Sequence, residues 1–165
     1  MPVPKREREF HRREATRCFN RTWDYLEMKA RTPEQNREML YLAHASRYHW
    51  GLVGRPRNRA IGEWQLSRVY SALGQPRLAL LFAKSCLATC KGARLSGLTP
   101  SANEVIARAY AVAGDDGNAR KYIARARRQL DRLVLDNADR RVYRSQILET
   151  EALLQRRSVR ERTLA

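Results

Sequence analysis

Two segments of this chain repeat one pattern at an offset of 40 residues. "LSRVYSALGQPRLALLFA" at 66–83 aligns with "IARAYAVAGDDGNARKYI" at 106–123. Leu66 meets Ile106, Arg68 meets Arg108, Tyr70 meets Tyr110, Gly74 meets Gly114, Ala79 meets Ala119 and Phe82 meets Tyr122. On each side of the glycine, apolar residues recur at helical spacing, which reads as two helices joined by a tight turn. Such a hairpin cannot bury its apolar face alone, so it stacks on a neighbour. The repeat therefore predicts an all-α chain of antiparallel helices packed in sequence order. Composition agrees. Ala, Leu, Arg, Glu and Gln are plentiful, and only 8 Gly and 6 Pro interrupt them. No stretch alternates apolar and polar residues for long enough to make a sheet.

Breakers set the boundaries. Seven helices are predicted, over about Glu7–Lys29, Pro33–Val53, Arg57–Leu73, Pro76–Lys91, Ser101–Ala113, Asn118–Leu135 and Ala138–Arg157. "RTPE" supplies Thr32 as N-cap, Pro33 at the first helical position and Glu34 in the first turn. "GRP" at 54–56 and "GQP" at 74–76 end one helix and start the next. "GARLSGLTPS" is the one longer connection, Gly114 ends the fifth helix, and Asp136 or Asn137 caps the seventh. One domain over 1–157 is expected, with a fraying tail at 158–165. The second helix has two apolar faces. Met39, Leu42, Ala43, Ser46, His49, Trp50 and Val53 form one; Tyr41, Ala45, Tyr48 and Leu52 form the other. That predicts a helix sandwiched between neighbours. Gly51 and Gly62 each cost ~1 kcal/mol of helix propensity, so close backbone contact or space for a tryptophan ring is expected there.

The matched hairpins resemble the tetratricopeptide repeat. Leu66, Ser67, Tyr70, Gly74 and Ala79 fit its spacing of large, small, aromatic, turn glycine and alanine; so do Ile106, Ala107, Tyr110, Gly114 and Ala119. The small residues let helices approach, the aromatic fills between them, and glycine supplies the helix-ending conformation. The resemblance covers 57–91 and 100–133. It departs at Trp64, one position later than the family's tryptophan, and at Lys91 and Asp131, where the repeat-ending proline is missing. The offset of 40 also exceeds the family's 34. The resemblance implies a short α-solenoid whose first helices line a concave peptide groove. Carried over, the groove positions are Ile61, Trp64, Arg68, Ser71 and Ala72, then Ser101, Glu104, Arg108, Ala111 and Val112. The first helix adds Arg13, Arg17, Asn20 and Asp24 as a polar stripe. An aromatic beside two repeated arginines suits a carboxylate, so the implied role is a non-enzymatic protein-interaction module for an acidic peptide or protein surface. The competing structural reading pairs Arg68 and Arg108 with Glu63 and Glu104 on the surface, where such pairs contribute little.

Charge supports an alternative. The formal net charge is +16, and Arg provides 28 of the 33 basic residues. The excess is spread along the chain, which bears on partners rather than on fold. Lys121, Arg125, Arg128 and Arg132 fall at i, i+4, i+7 and i+11 of the sixth helix, with Arg120 and Arg127 beside them. That ridge, with the basic start "MPVPKREREFHRRE", is a nucleic-acid-binding candidate. The bland reading is an ordinary solvated outer face.

No catalytic constellation stands out. His49 beside Trp50 suits a general base in an aromatic pocket, but a histidine bonded to a neighbouring helix is the expectation. His44 and His49, five apart, diverge by about 140° around the helix, so one metal cannot take both from one face. Cys86 and Cys90 share a face at i, i+4 but lie on the apolar stripe, where small core residues are expected rather than zinc ligands. Phosphate-loop, zinc-protease and serine-hydrolase motifs are missing. No catalytic residue, metal or cofactor is expected. Three cysteines without framework spacing predict reduced thiols and a cytoplasmic protein. The start carries no apolar signal-peptide region, and the longest apolar run, "LALLFA", is far short of the ~20 residues of a membrane helix. The oligomeric state is left open.

Overall fold

A computed structural model describes residues 4–163, with side chains to Arg156. It holds seven helices: α1 (Lys5–Leu26), α2 (Pro33–Val53), α3 (Pro56–Ala72), α4 (Pro76–Gly92), α5 (Thr99–Ala113), α6 (Asp116–Asp131) and α7 (Asn137–Thr163). A 3-10 turn, Ser96–Leu98, leads into α5. No strand occurs among the described residues. The chain is all-α, as its periodicity predicts.

Side-chain caps set several ends. Thr32 and Gln35 form a capping box: Gln35 N donates to Thr32 Oγ1 at 3.3 Å, and Thr32 N donates to Gln35 Oε1 at 2.8 Å. Asp115 accepts from Asn118 N, and Asp136 from Asp139 N. α1 stops at Leu26, short of the expected Lys29, where Arg31 donates to the carbonyls of Tyr25 and Met28. α6 stops at Asp131, not Leu135, and Arg140 of α7 takes up the carbonyls of Leu130 and Leu133. The backbone of α7 continues past Arg157 to Thr163. The tail expected at 158–165 lies, in its side chains and last two residues, outside the described residues.

Gly74 and Gly114 take φ of 67° and 85°. The following amides close the helix end: Gln75 N donates to Tyr70 O at 2.9 Å and Asp115 N to Tyr110 O at 3.0 Å. α4 ends the same way, with Leu95 N donating to Cys90 O at 2.8 Å. There Arg94, at φ 55°, stands where the other two turns have glycine.

α1/α2, α3/α4 and α5/α6 are packed hairpins. α1, α3, α5 and α7 lie side by side in an inner layer, and α2, α4 and α6 form an outer layer against it. α7 runs parallel to α5. Tyr143 Oη donates to Gly97 O at 2.7 Å, Ser101 Oγ to Gln146 Oε1 at 2.8 Å, and Thr150 Oγ1 to Glu104 Oε1 at 2.5 Å. The two matched hairpins use equivalent residues alike. Tyr70 stacks on Phe82 with ring centroids 5.4 Å apart, Tyr110 on Tyr122 at 5.7 Å, and Ala79 and Ala119 are fully buried.

One expectation is corrected and another is met in part. α2 is not sandwiched: Tyr41 and Tyr48 are each 63% exposed, and Leu52 is exposed beside them. An outer-layer helix has neighbours on its inner side only. At Gly62 the expected close backbone approach occurs, since a Cβ there would lie 3.5 Å from Cα of Arg47 on α2, but at both Gly51 and Gly62 the space is taken by the Arg47 side chain and not by a tryptophan ring. A Cβ on Gly62 would lie 3.0 Å from Cδ of Arg47, and one on Gly51 would lie 3.2 Å from its Nη1. Arg47 Nη2 then donates at 3.1 Å to Oε1 of buried Glu63, whose Oε2 accepts from Thr89 Oγ1 at 2.9 Å.

Candidate functional site

In the inner layer, the repeat brings Arg68 of α3 and Arg108 of α5 together. Both donate to Oε2 of Glu149 on α7, at 2.6 and 2.9 Å. Arg108 Nε also donates at 3.1 Å to Oε1 of Glu104, a fully buried carboxylate. The Arg68 guanidinium lies 5.3 Å from the Trp64 ring centroid and 5.5 Å from that of Trp23 on α1. The two arginine side chains are only 11% and 16% exposed, so their charge is spent inside the molecule against two carboxylates. Burial works to raise the Glu149 carboxyl. The hydrogen bond and charge of Arg68, then those of Arg108, outweigh it and hold the group below the usual carboxylate range. The expected pairing with Glu104 occurs, to Arg108 at 3.1 Å and to Arg68 at 3.9 Å, but in the interior rather than on the surface, and the pairing with Glu63 does not occur. Glu63 belongs to Arg47, and Glu104 is interior.

The other groove positions divide. Ile61, Trp64 and Ser101 line a mostly apolar cleft of about 200 Å³, closed by Val142, Tyr143 and Gln146 of α7. Ser71 and Ala111 are buried, Val112 is half-buried and Ala72 is exposed. Arg13 and Arg17 are exposed and pair with Glu14 on their own helix, at 3.4 and 2.7 Å. Asn20 and Asp24 are also exposed. Instead of that polar stripe, α1 sends Trp23 to the arginine cluster. Glu149 and Trp23 escaped the sequence reading because α1 and α7 have no counterpart in the matched hairpins.

The ridge on α6 is different. Lys121, Arg128 and Arg132 are exposed, and Arg125 is half-buried with its guanidinium 4.7 Å from the Tyr122 ring centroid. Among the described residues, none of the four has a carboxylate within ion-pair distance. Arg127 belongs elsewhere, clamped on Glu151 of α7 by contacts of 2.8 Å. Between α4 and α6 a cleft of about 350 Å³ is lined by Leu87, Lys91, Asn103, Arg125, Arg128, Gln129 and Arg132. Asn103 Nδ2, at its floor, donates to Thr99 O and to Gln129 Oε1 at 2.9 and 2.7 Å. Lys91 is the residue the sequence missed. The ridge periodicity reports one helix, and Lys91 comes from another.

His49 is bonded to a neighbouring helix, as expected. Its Nδ1 shares a 2.7 Å hydrogen bond with Nδ1 of His11 on α1. His44 Nε2 lies 2.8 Å from Tyr70 Oη on α3, so the two histidines of α2 serve different partners. Burial lowers the pKa of both. For His49 the nearby His11 adds to this and Glu14 partly opposes it. Cys86 and Cys90 are 2% and 1% exposed and pack with Ala60 and Ala102, in line with small core residues. The hydrogen bond to Cys90, then burial, pushes the Cys86 thiol up. All three cysteines are free and buried. Among the described residues, no three His, Cys, Asp or Glu side chains are grouped to hold a metal ion, and no helix is long and apolar enough to cross a membrane. Comparison with family models, curated proteins and solved structures gives no match for this chain.

Proposed function

We propose that this chain is a non-enzymatic docking module of tetratricopeptide-like design whose partner is a nucleic acid, held along the basic face of α6. The observation that carries this reading is the contrast between two sets of basic residues. Arg68 and Arg108 have internal carboxylates, whereas Lys121, Arg125, Arg128 and Arg132 have none among the described residues. Eleven residues of helix set those four cations along about 16 Å. A straight row of cations suits a straight row of phosphates, and the net charge of +16 favours encounter with a polyanion. Three free, buried cysteines fit a reducing, cytoplasmic setting.

A second reading keeps the acidic peptide in the inner layer. Arg68 and Arg108 sit at equivalent repeat positions, next to the cleft of Ile61 and Trp64. A peptide carboxylate there has to replace Glu149.

The test is binding of the purified protein to a labelled oligonucleotide and to an acidic peptide across a salt series. Arg128→Ala and Arg132→Ala should weaken the oligonucleotide and lower its salt slope by about 1 per lost phosphate contact. Arg68→Ala and Arg108→Ala should leave it unchanged. Peptide binding abolished by the inner-layer variants, with no oligonucleotide binding at low salt, would replace this reading by the second.

A further inference from the structure

We infer that the nucleic acid is single-stranded and that Tyr41 and Tyr48 of α2 stack on its bases. This rests on the reading above and adds to it a strand state and a second set of contacts. The two tyrosines are seven residues apart, two helical turns or about 10 Å, so they share one face. Both are 63% exposed, and Leu52 continues the same face. His44 lies between them, open on its outer side while its ring is partly covered by Tyr70 and lies 5.8 Å from that of Phe82 on α4. Rings left this open on a helix form a surface patch of the kind that marks an interaction site.

The layer arrangement says what that face adjoins. α2, α4 and α6 lie on one side of the inner layer, so their outer faces point the same way. From the tyrosines of α2, that surface passes exposed Leu81 and Lys84 of α4. It ends at the cleft of Lys91, Arg125, Arg128 and Arg132. Aromatic rings followed by unpaired cations are the two parts that unpaired nucleic acid requires. Every base offers a π face to a ring, and the cations track the phosphates. A duplex stacks its bases on one another and leaves the tyrosines without a face to meet. The charge of this layer also opposes a second copy of the chain, which would bring its own cations against these.

The experiment is fluorescence anisotropy with a labelled strand of about 20 nucleotides, longer than one expected site. It is run in deoxyribo and ribo forms, each single-stranded and annealed to its complement. The protein is compared with Tyr41→Ala, Tyr48→Ala, Tyr48→Phe and the Arg128→Ala/Arg132→Ala double variant, each checked by circular dichroism. The single strand should bind at least tenfold more tightly than the duplex. Each tyrosine-to-alanine change should weaken the single strand about tenfold and leave the duplex unchanged, while Tyr48→Phe, which keeps the ring, should retain binding. The arginine double variant should weaken both forms. Equal binding of strand and duplex, with neutral tyrosine variants, would overturn this inference and leave the α6 reading intact. No binding of either form at low salt would overturn both. Tyrosine variants that convert a dimer to a monomer without changing oligonucleotide affinity would assign the face to a second copy and overturn the inference.

Discussion

Arg47 crosses Gly62 so closely that a Cβ on that glycine would sit 3.0 Å from the arginine's Cδ. The contact lets the guanidinium reach Glu63, which is buried and has no other cation within ion-pair distance among the described residues. Helix propensity alone favours alanine over glycine at position 62 by ~1 kcal/mol. The packing reverses that. Gly62→Ala is predicted to lower unfolding free energy by about 1–3 kcal/mol, because displacing Arg47 leaves a buried carboxylate without its charge partner. In an Arg47→Ala background the same change should be neutral or stabilising. Urea denaturation of the four proteins of this cycle measures the sign change. An equal cost in both backgrounds would refute it.

Stability should fall as pH drops below the ordinary histidine value of about 6.5. His44 and His49 have lowered pKa values in the folded chain, so folding prefers their neutral forms. Their contribution is complete above the unfolded value and is lost as pH falls through the folded values. Glu14 near His49 opposes the shift without cancelling it. Thermal melts at pH 7.5 and pH 5 should differ less for His49→Gln than for the parent protein.

A separate loss of stability belongs at lower pH. The Glu149 carboxyl is held below its usual range, so its contribution is present above the ordinary value of about 4.3 and disappears as pH falls through the folded one. Glu149 is half exposed, so solvent screening keeps the loss small. Glu149→Ala should cost about 1–2 kcal/mol at neutral pH and remove that acid step from a stability–pH curve. An unchanged acid limb would refute the assignment.

Arg94→Gly should stabilise the chain by about 0.5–1 kcal/mol, because Arg94 holds the left-handed conformation that glycine adopts without strain. The converse is Gly74→Ala. Nothing lies within 4 Å of a Cβ placed there, so its cost, about 1 kcal/mol, isolates the backbone conformation from any clash. Chemical denaturation of both variants checks the pair of opposite signs.

Turns and caps were legible because their signals are local. Thr32, Gly74 and Gly114 act on amides within a few residues, and the 40-residue offset was enough to place Arg68 beside Arg108. Glu149 was not legible, since it meets Arg68 across 81 residues and α7 carries no copy of the repeat. Periodicity revealed that Tyr41 and Tyr48 share a face, but an apolar face does not say whether a neighbour covers it. Arg94 gave no signal either. The third left-handed turn is imposed by the chain closing onto Cys90 O, not by the residue that occupies it.

Stacked helical hairpins approximate a one-dimensional array, in which each unit is stabilised by its own terms and by contact with the next. Such arrays can peel from an end, one unit at a time. The Glu149 carboxylate departs from that rule, because it bonds an arginine on the adjacent hairpin and another on the hairpin beyond. It adds a second-neighbour coupling that ties α7 to α3 as well as to α5. Release of α7 then weakens two hairpins at once, so amides of α3 and α5 should exchange with solvent in step with those of α7, as a single cooperative unit.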